Sequence, residues 1–141
     1  MWIISAPLIA AQISGFPTIM TPLDFIGASL WILGLIFESV GDLQLMRYKA
    51  MPMNKGKLLT AGLWKYTRHP NYFGEAVLWW GFYIIALGTG FWWTIFSPIL
   101  MTYLLMKVSG VAMLERTMRS KPGYDEYMKR TSAFFPWFLK Y

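Results

Sequence analysis

Residues 23–46 read LDFIGASLWILGLIFESVGDLQLM, 24 residues in which only Asp24, Glu38 and Asp42 carry charge. As a helix this stretch reaches about 36 Å, enough to cross a hydrocarbon core roughly 30 Å thick. Thr21-Pro22 just ahead of it is a helix-start signal. Gly27, Gly34 and Gly41 recur every seven residues, a stripe along which a second helix would approach closely in a membrane. Chance spacing in a glycine-rich chain explains that stripe nearly as well.

The composition fits a chain that faces lipid. Hydrophobic residues make up 56% and charged residues 14%, whereas soluble domains carry about 25% charged residues. Six of the 13 Lys and Arg lie in 47–73, six in 115–141, and Lys107 stands between. Long apolar segments separate these clusters, which argues against a basic nucleic-acid-binding face. The chain has no cysteine, hence no disulfide framework. MWIISAPLIAAQ at the start lacks the basic region of a cleaved signal peptide.

Working outward, the basic segment 47–73 is too polar to span. Residues 74–88 and 91–114 are apolar again and flank Gly88-Thr89-Gly90, which predicts a helical hairpin. Pro70–Phe73 belongs to the first turn of its first arm, Pro98 kinks the second, and Trp92 and Trp93 sit at the far interface. FFPWF at 134–138 suits the headgroup level. Residues 1–16 read as the end of a span whose beginning is missing. The expected fold is an all-α polytopic membrane bundle, about three full spans plus a partial N-terminal one, over a single transmembrane domain 1–141. The positive-inside rule places both basic segments in the cytoplasm, facing an inner membrane if the source is bacterial.

Candidate chemistry concentrates near that basic face. Glu38 and Asp42 share one side of the first span, where carboxylates normally face a polar cavity. Their functional reading is a grip on substrate or ribose hydroxyls; the alternative is an ion pair with Arg47, Lys49 or Arg68. In LWKYTRHPNYFGE (63–75) Pro70 opens a helix with Arg68 and His69 just ahead, an arrangement suited to an anion. Asn71, Glu75 and Trp79 follow on one face of it. In the last segment Glu115 and Arg119 are candidates, while Lys121, Asp125 and Lys129 read as solvent-facing charges. No GxGxxG, Walker A loop or HExxH occurs, and one histidine without cysteines builds no ordinary zinc site.

RHPNYFGE at 68–75, WWG at 79–81 and ERTMRSKPGYDEYMKRTSAFFP at 115–136 resemble the C-terminal half of the steroid 5-alpha-reductase-like membrane proteins. The wider superfamily includes sterol reductases and isoprenylcysteine carboxyl methyltransferases, and the likeness runs over about residues 23–137. NYFGE at 71–75 and ESVGDLQLMRYK at 38–49 lean toward the reductases. The resemblance implies a membrane oxidoreductase module reducing a C=C bond of a lipid-soluble substrate with NADPH, its cofactor pocket on the cytoplasmic side. It implies cofactor contacts from Asp42, Lys49, Asn71, Tyr72 and Glu75, with Arg68 and His69 by the phosphates and Glu115 with Arg119 closing the pocket. Glu38 and Trp79 are the substrate-side candidates. Alternatives are an S-adenosylmethionine-dependent methyltransferase and a non-catalytic scaffold. Family members carry further N-terminal spans, so the chain is expected to be the C-terminal portion of a longer architecture, or a half that needs partner helices or a second copy.

Overall fold

A computed structural model describes residues 4–13, 19–108 and 110–138. Six α-helices follow in order: α1 (Ala6–Ile13), α2 (Pro22–Ala50), α3 (Pro70–Gly88), α4 (Phe96–Tyr103), α5 (Val111–Met118) and α6 (Tyr124–Arg130). Among the described residues the only β-type pairing is an isolated bridge between Thr67 and Ser132. Of the N-terminal stretch 1–16, α1 is described; residues 1–3 and 14–16 lie outside the described residues.

Helix α2 starts where Thr21-Pro22 predicts. The Asp24 carboxylate accepts hydrogen bonds from the Thr21 amide (2.7 Å) and hydroxyl (2.8 Å), satisfying a donor that a helix start leaves free. It runs to Ala50, four residues past the apolar stretch, and ends before Pro52, which disfavours helix in the residue ahead of it. Its 29 residues extend about 43 Å, longer than a hydrocarbon core roughly 30 Å thick. The buried residues of α2 are Gly27, Gly34 and Gly41, while Ile26, Ile32, Leu33 and Ile36 stay exposed. That pattern, bulky apolar groups outside and glycine inside, suits a lipid solvent.

The three glycines meet α3 in antiparallel register. A Cβ on Gly34 would sit 2.5 Å from the Leu78 amide nitrogen and 2.6 Å from the Gly74 carbonyl oxygen. One on Gly81 would lie 2.7 Å from the Gly27 carbonyl oxygen. Gly41 abuts Pro70 and Asn71 at the start of α3. The seven-residue stripe is therefore a packing device, matched by Gly74 and Gly81 at the same spacing on the partner helix.

The hairpin turn falls at Gly88-Thr89-Gly90, with Gly90 at φ 88°. Its second arm is not the continuous kinked helix expected over 91–114. A 3₁₀ turn (Trp92–Ile95) leads into α4, a π-turn (Leu104–Val108) follows, and α5 starts afresh after Gly110. Pro98 lies in the first turn of α4, where its missing N–H is tolerated, and the arm passes from 3₁₀ to α-helix just ahead of it. At Gly110, just ahead of α5, a Cβ would meet the Leu105 carbonyl, so glycine is required there. Among the described residues two stretches, Pro22–Ala50 and Trp92–Met118, are long and apolar enough to cross a membrane.

A small core of Ala76, Leu105, Val111 and Phe134 joins α3, the π-turn, α5 and the C-terminal strap. The strap follows the 66–68 loop: the Arg68 amide donates to Ser132 (2.9 Å), the Trp137 amide to Tyr66 (3.0 Å), and the Thr67 hydroxyl to Phe134 (2.8 Å). Phe134 is thus core, while Phe135, Trp137 and Phe138 stay exposed, as an interfacial segment requires. Gly34→Leu should part α2 from α3 and lower stability by about 2 kcal/mol or more. Thermal unfolding in detergent checks this against Ala28→Leu on an exposed face of α2; equal effects would refute the seam.

Candidate functional site

The glycine seam brings the C-terminal end of α2 beside the N-terminal end of α3, and the 51–69 loop is pinned across them. The Trp64 indole N–H donates to the Gly41 carbonyl (3.1 Å) and the Leu63 amide to Gln44 Oε1 (3.0 Å). The Tyr48 hydroxyl donates to the Leu58 carbonyl (2.9 Å), and Asn54 Nδ2 donates to the Tyr48 carbonyl (3.0 Å). From the other side the Tyr127 hydroxyl donates to the Trp64 carbonyl, tying α6 to the same loop. These elements enclose a cavity of about 750 Å³. Its charged lining is Lys49, Lys55, Lys57, Arg68 and Lys121, with no Asp or Glu. Aromatic walls come from Tyr48, Trp64, Tyr72, Tyr124 and Tyr127.

At the inner wall Arg68 is 8% exposed and largely committed to the protein. Its Nε and Nη2 donate to Glu115 Oε1 at 2.9 and 2.6 Å, and Nη1 donates to the carbonyls of Met128 and Thr131. Guanidinium suits this task because its rigid fork serves several acceptors at once. His69, 4% exposed, stacks on Tyr72 with ring centroids 5.7 Å apart. Its Nε2 stands 3.5 Å from Glu115 Oε1 without making a hydrogen bond. His69 Nε2 and Asn71 Oδ1 are buried with no hydrogen-bond partner, and both residues line the cavity. Burial pushes His69 down to about 4; Glu115 pulls it up less strongly, and Arg68 adds to the lowering. His69 is therefore neutral at pH 7. Burial also raises the phenols of Tyr124 and Tyr127, which stay protonated.

Lys49, Arg68, His69, Asn71 and Tyr72 come together at this cavity. Glu115 is the counter-charge of Arg68 and stands 3.5 Å from the His69 ring, and Arg119 is exposed and outside the lining. Asp42 is exposed in a shallow groove with Ser39, Leu43, Leu45, Met46 and Lys49, close enough to α3 for its charge to act on Glu75 and Tyr72. Glu38 and Glu75 are half-buried near Asp42 and outside the cavity lining. Among the described residues no ion pair joins these acids to Arg47, Lys49 or Arg68. Trp79 belongs to an aromatic cluster with Phe82 and Trp31. Lys121, read from sequence as solvent-facing, instead lines the cavity, as do Tyr48, Lys55, Lys57, Trp64 and Tyr127. Lys55-Gly56-Lys57 was the available signal, two cations flanking a turn residue. No cluster of three or more metal-ligating side chains occurs among the described residues.

Arg68→Ala would leave the Glu115 carboxylate and two carbonyls without their donors, an expected loss of about 3–5 kcal/mol measured by unfolding in detergent. For His69 the folded value near 4 lies below the unfolded 6.5, so the unfolded chain binds the extra proton between them. Its contribution to stability is full above pH 6.5 and falls by roughly 3 kcal/mol toward pH 4. Tm followed from pH 7.5 to 4.5 should decline more steeply for the natural chain than for His69→Gln; parallel curves would refute this.

The family model described as "Protein of unknown function (DUF1295)" matches residues 1–131. A probable O-methyltransferase, ustE, of Ustilaginoidea virens is 29% identical over 136 residues, covering 96% of this chain and 43% of its own length. An uncharacterized protein, C594.04c, of Schizosaccharomyces pombe (strain 972 / ATCC 24843) is 25% identical over 159 residues, covering 96% and 45% respectively. This chain thus spans less than half the length of the curated relatives it matches. No solved structure matches it. The sequence motifs, the helical architecture and the match over nearly the whole chain agree: it belongs to the DUF1295 family, a steroid 5-alpha-reductase-like group.

Proposed function

We propose that this chain is the cofactor-binding part of a membrane reductase that takes NADPH from the cytoplasm and acts on a lipid-soluble substrate. The observation that carries the reading is the cavity lining, five cations and no carboxylate beside the N-terminus of α3. A helix N-terminus and unpaired lysines favour a ligand with several negative charges. The buried, unpartnered atoms of His69 and Asn71 fit such a polar ligand, since orphaned groups of this kind are costly without one.

When bound, NADPH would supply the hydride for a polarised C=C bond. The chain's own part is to hold it. The lysines neutralise phosphate charge, and Arg68, fixed by Glu115, adds a positive field from the wall. Neutral His69 and Asn71 offer hydrogen bonds without adding charge, and the aromatic walls exclude water from one side of the ligand. In the fuller topology α3 is a third span beside α2 and the Trp92–Met118 stretch, with both basic segments cytoplasmic. The meeting of the 66–68 loop with residues 132–137 supports both basic segments lying on the same side; the cytoplasmic assignment rests on the positive-inside rule. Spans outside this chain, or a second copy of it, would complete the lipid site.

Methyl transfer from S-adenosylmethionine is the second reading, favoured by the relative named as a probable O-methyltransferase. The lining counts against it, because that cofactor carries a positive sulfonium and the cavity offers no carboxylate. Quenching of the eight tryptophans, with Trp64 in the cavity wall, separates the two in purified protein. NADPH should saturate the signal, and Asn71→Ala should weaken binding about tenfold, the loss of a hydrogen bond to a charged ligand. Saturation by S-adenosylmethionine alone would replace this reading with the second; no response to either would remove both for this chain.

A further inference from the structure

We propose that the 51–59 loop and the α5–α6 connection form a two-walled clamp for a multiply charged phosphate, with Lys55 and Lys57 on one wall and Lys121 on the other. The inference deepens the nucleotide reading and rests on it for the source of the phosphate. All three lysines line the same cavity, although Lys121 follows Lys57 by more than sixty residues in the chain. Lys55 and Lys57 flank Gly56, whose backbone is left-handed (φ 81°) and has no atom near its missing Cβ. The space beside Gly56 is therefore open, and Lys55 and Lys57 on either side of it are exposed.

The charge pattern is what needs a ligand. Among the described residues the ion pairs use Arg68 and Arg130, and none uses Lys49, Lys55, Lys57 or Lys121. Arg130, also at the surface, has Glu126 four residues before it at 2.6 Å. The four lysines share this lining without an acid in it, and like charges gathered on one cavity are relieved when an anion enters. At the inner wall His69, almost fully buried, leaves Nε2 without a hydrogen bond. The loop is held by the hydrogen bonds from Tyr48 and Asn54, while Met51, Met53, Lys55 and Lys57 are exposed. A bridging phosphate would draw this loop toward Lys121, and the effect should weaken as salt rises.

Limited trypsin digestion of the full chain in neutral detergent tests the clamp, with inorganic diphosphate as probe and sodium chloride at equal ionic strength as control. Diphosphate should slow cleavage after Lys55 and Lys57 about tenfold, leaving other sites unchanged. Lys121→Gln should abolish this protection and Lys121→Arg should keep it. Absence of protection, or protection that survives Lys121→Gln, overturns the clamp. The nucleotide reading is scored separately by tryptophan quenching with NADPH. If NADPH binds Lys121→Gln and the Lys55→Gln/Lys57→Gln pair as it binds the natural chain, the clamp falls and that reading stands. If diphosphate protects and NADPH neither protects nor quenches, the clamp stands and that reading falls. Short-chain phosphatidic acid in the digestion then shows whether a lipid headgroup is the source.

Discussion

Along the seam between α2 and α3, Gly27, Gly34 and Gly41 meet Gly81, Gly74 and the start of α3 with backbone against backbone. In lipid there is no hydrophobic gain from bringing two apolar helices together, so close packing and hydrogen bonding must hold them. Glycine permits that approach, and the matched seven-residue spacing keeps it in register. The consequence reaches the site. Gly41 lies against Pro70 and Asn71, so the last turns of α2 stand beside the first turn of α3. The Gly41 carbonyl then takes the Trp64 indole, which anchors the loop forming one cavity wall.

The second organising interaction is the buried Arg68–Glu115 pair. It joins the loop before α3 to α5, and the remaining Arg68 donors reach the carbonyls of Met128 and Thr131. A buried pair of this kind adds little net stability, yet removing either partner is expensive. Here it sets the position of His69, whose ring lies between Glu115 and Tyr72. Residues that the family resemblance assigns to the cofactor pocket thus divide into two tasks. Arg68 and Glu115 hold the wall, while His69 and Asn71 keep unpartnered atoms within it.

Most side chains of α2 spend their apolar surface outward. A soluble protein would hide Ile26, Ile32, Leu33 and Ile36; here they are exposed and the helix is long enough to cross a bilayer. Glu38, Asp42 and Glu75 lie near one another without ion pairs among the described residues. Carboxylates at such positions normally face protein or water rather than lipid.

Sequence by itself determined that 23–46 is long and apolar enough to span a membrane, the helix start at Thr21-Pro22, the hairpin turn at Gly88–Gly90 and the start of α3 at Pro70. These depend on local hydropathy and backbone constraints, which neighbouring residues settle among themselves. The family could be read too, because RHPNYFGE and the 115–136 run are contiguous. Only the tertiary structure decided that the glycine stripe is a packing seam, and that the second arm is divided among a 3₁₀ turn, α4, a π-turn and α5. It also moved Lys121 from the solvent face to the cavity and left Asp42, Glu75 and Arg119 outside the lining. A side chain's charge is written in its own residue. What that charge faces depends on segments sixty residues away, brought together by glycine contacts and one buried ion pair.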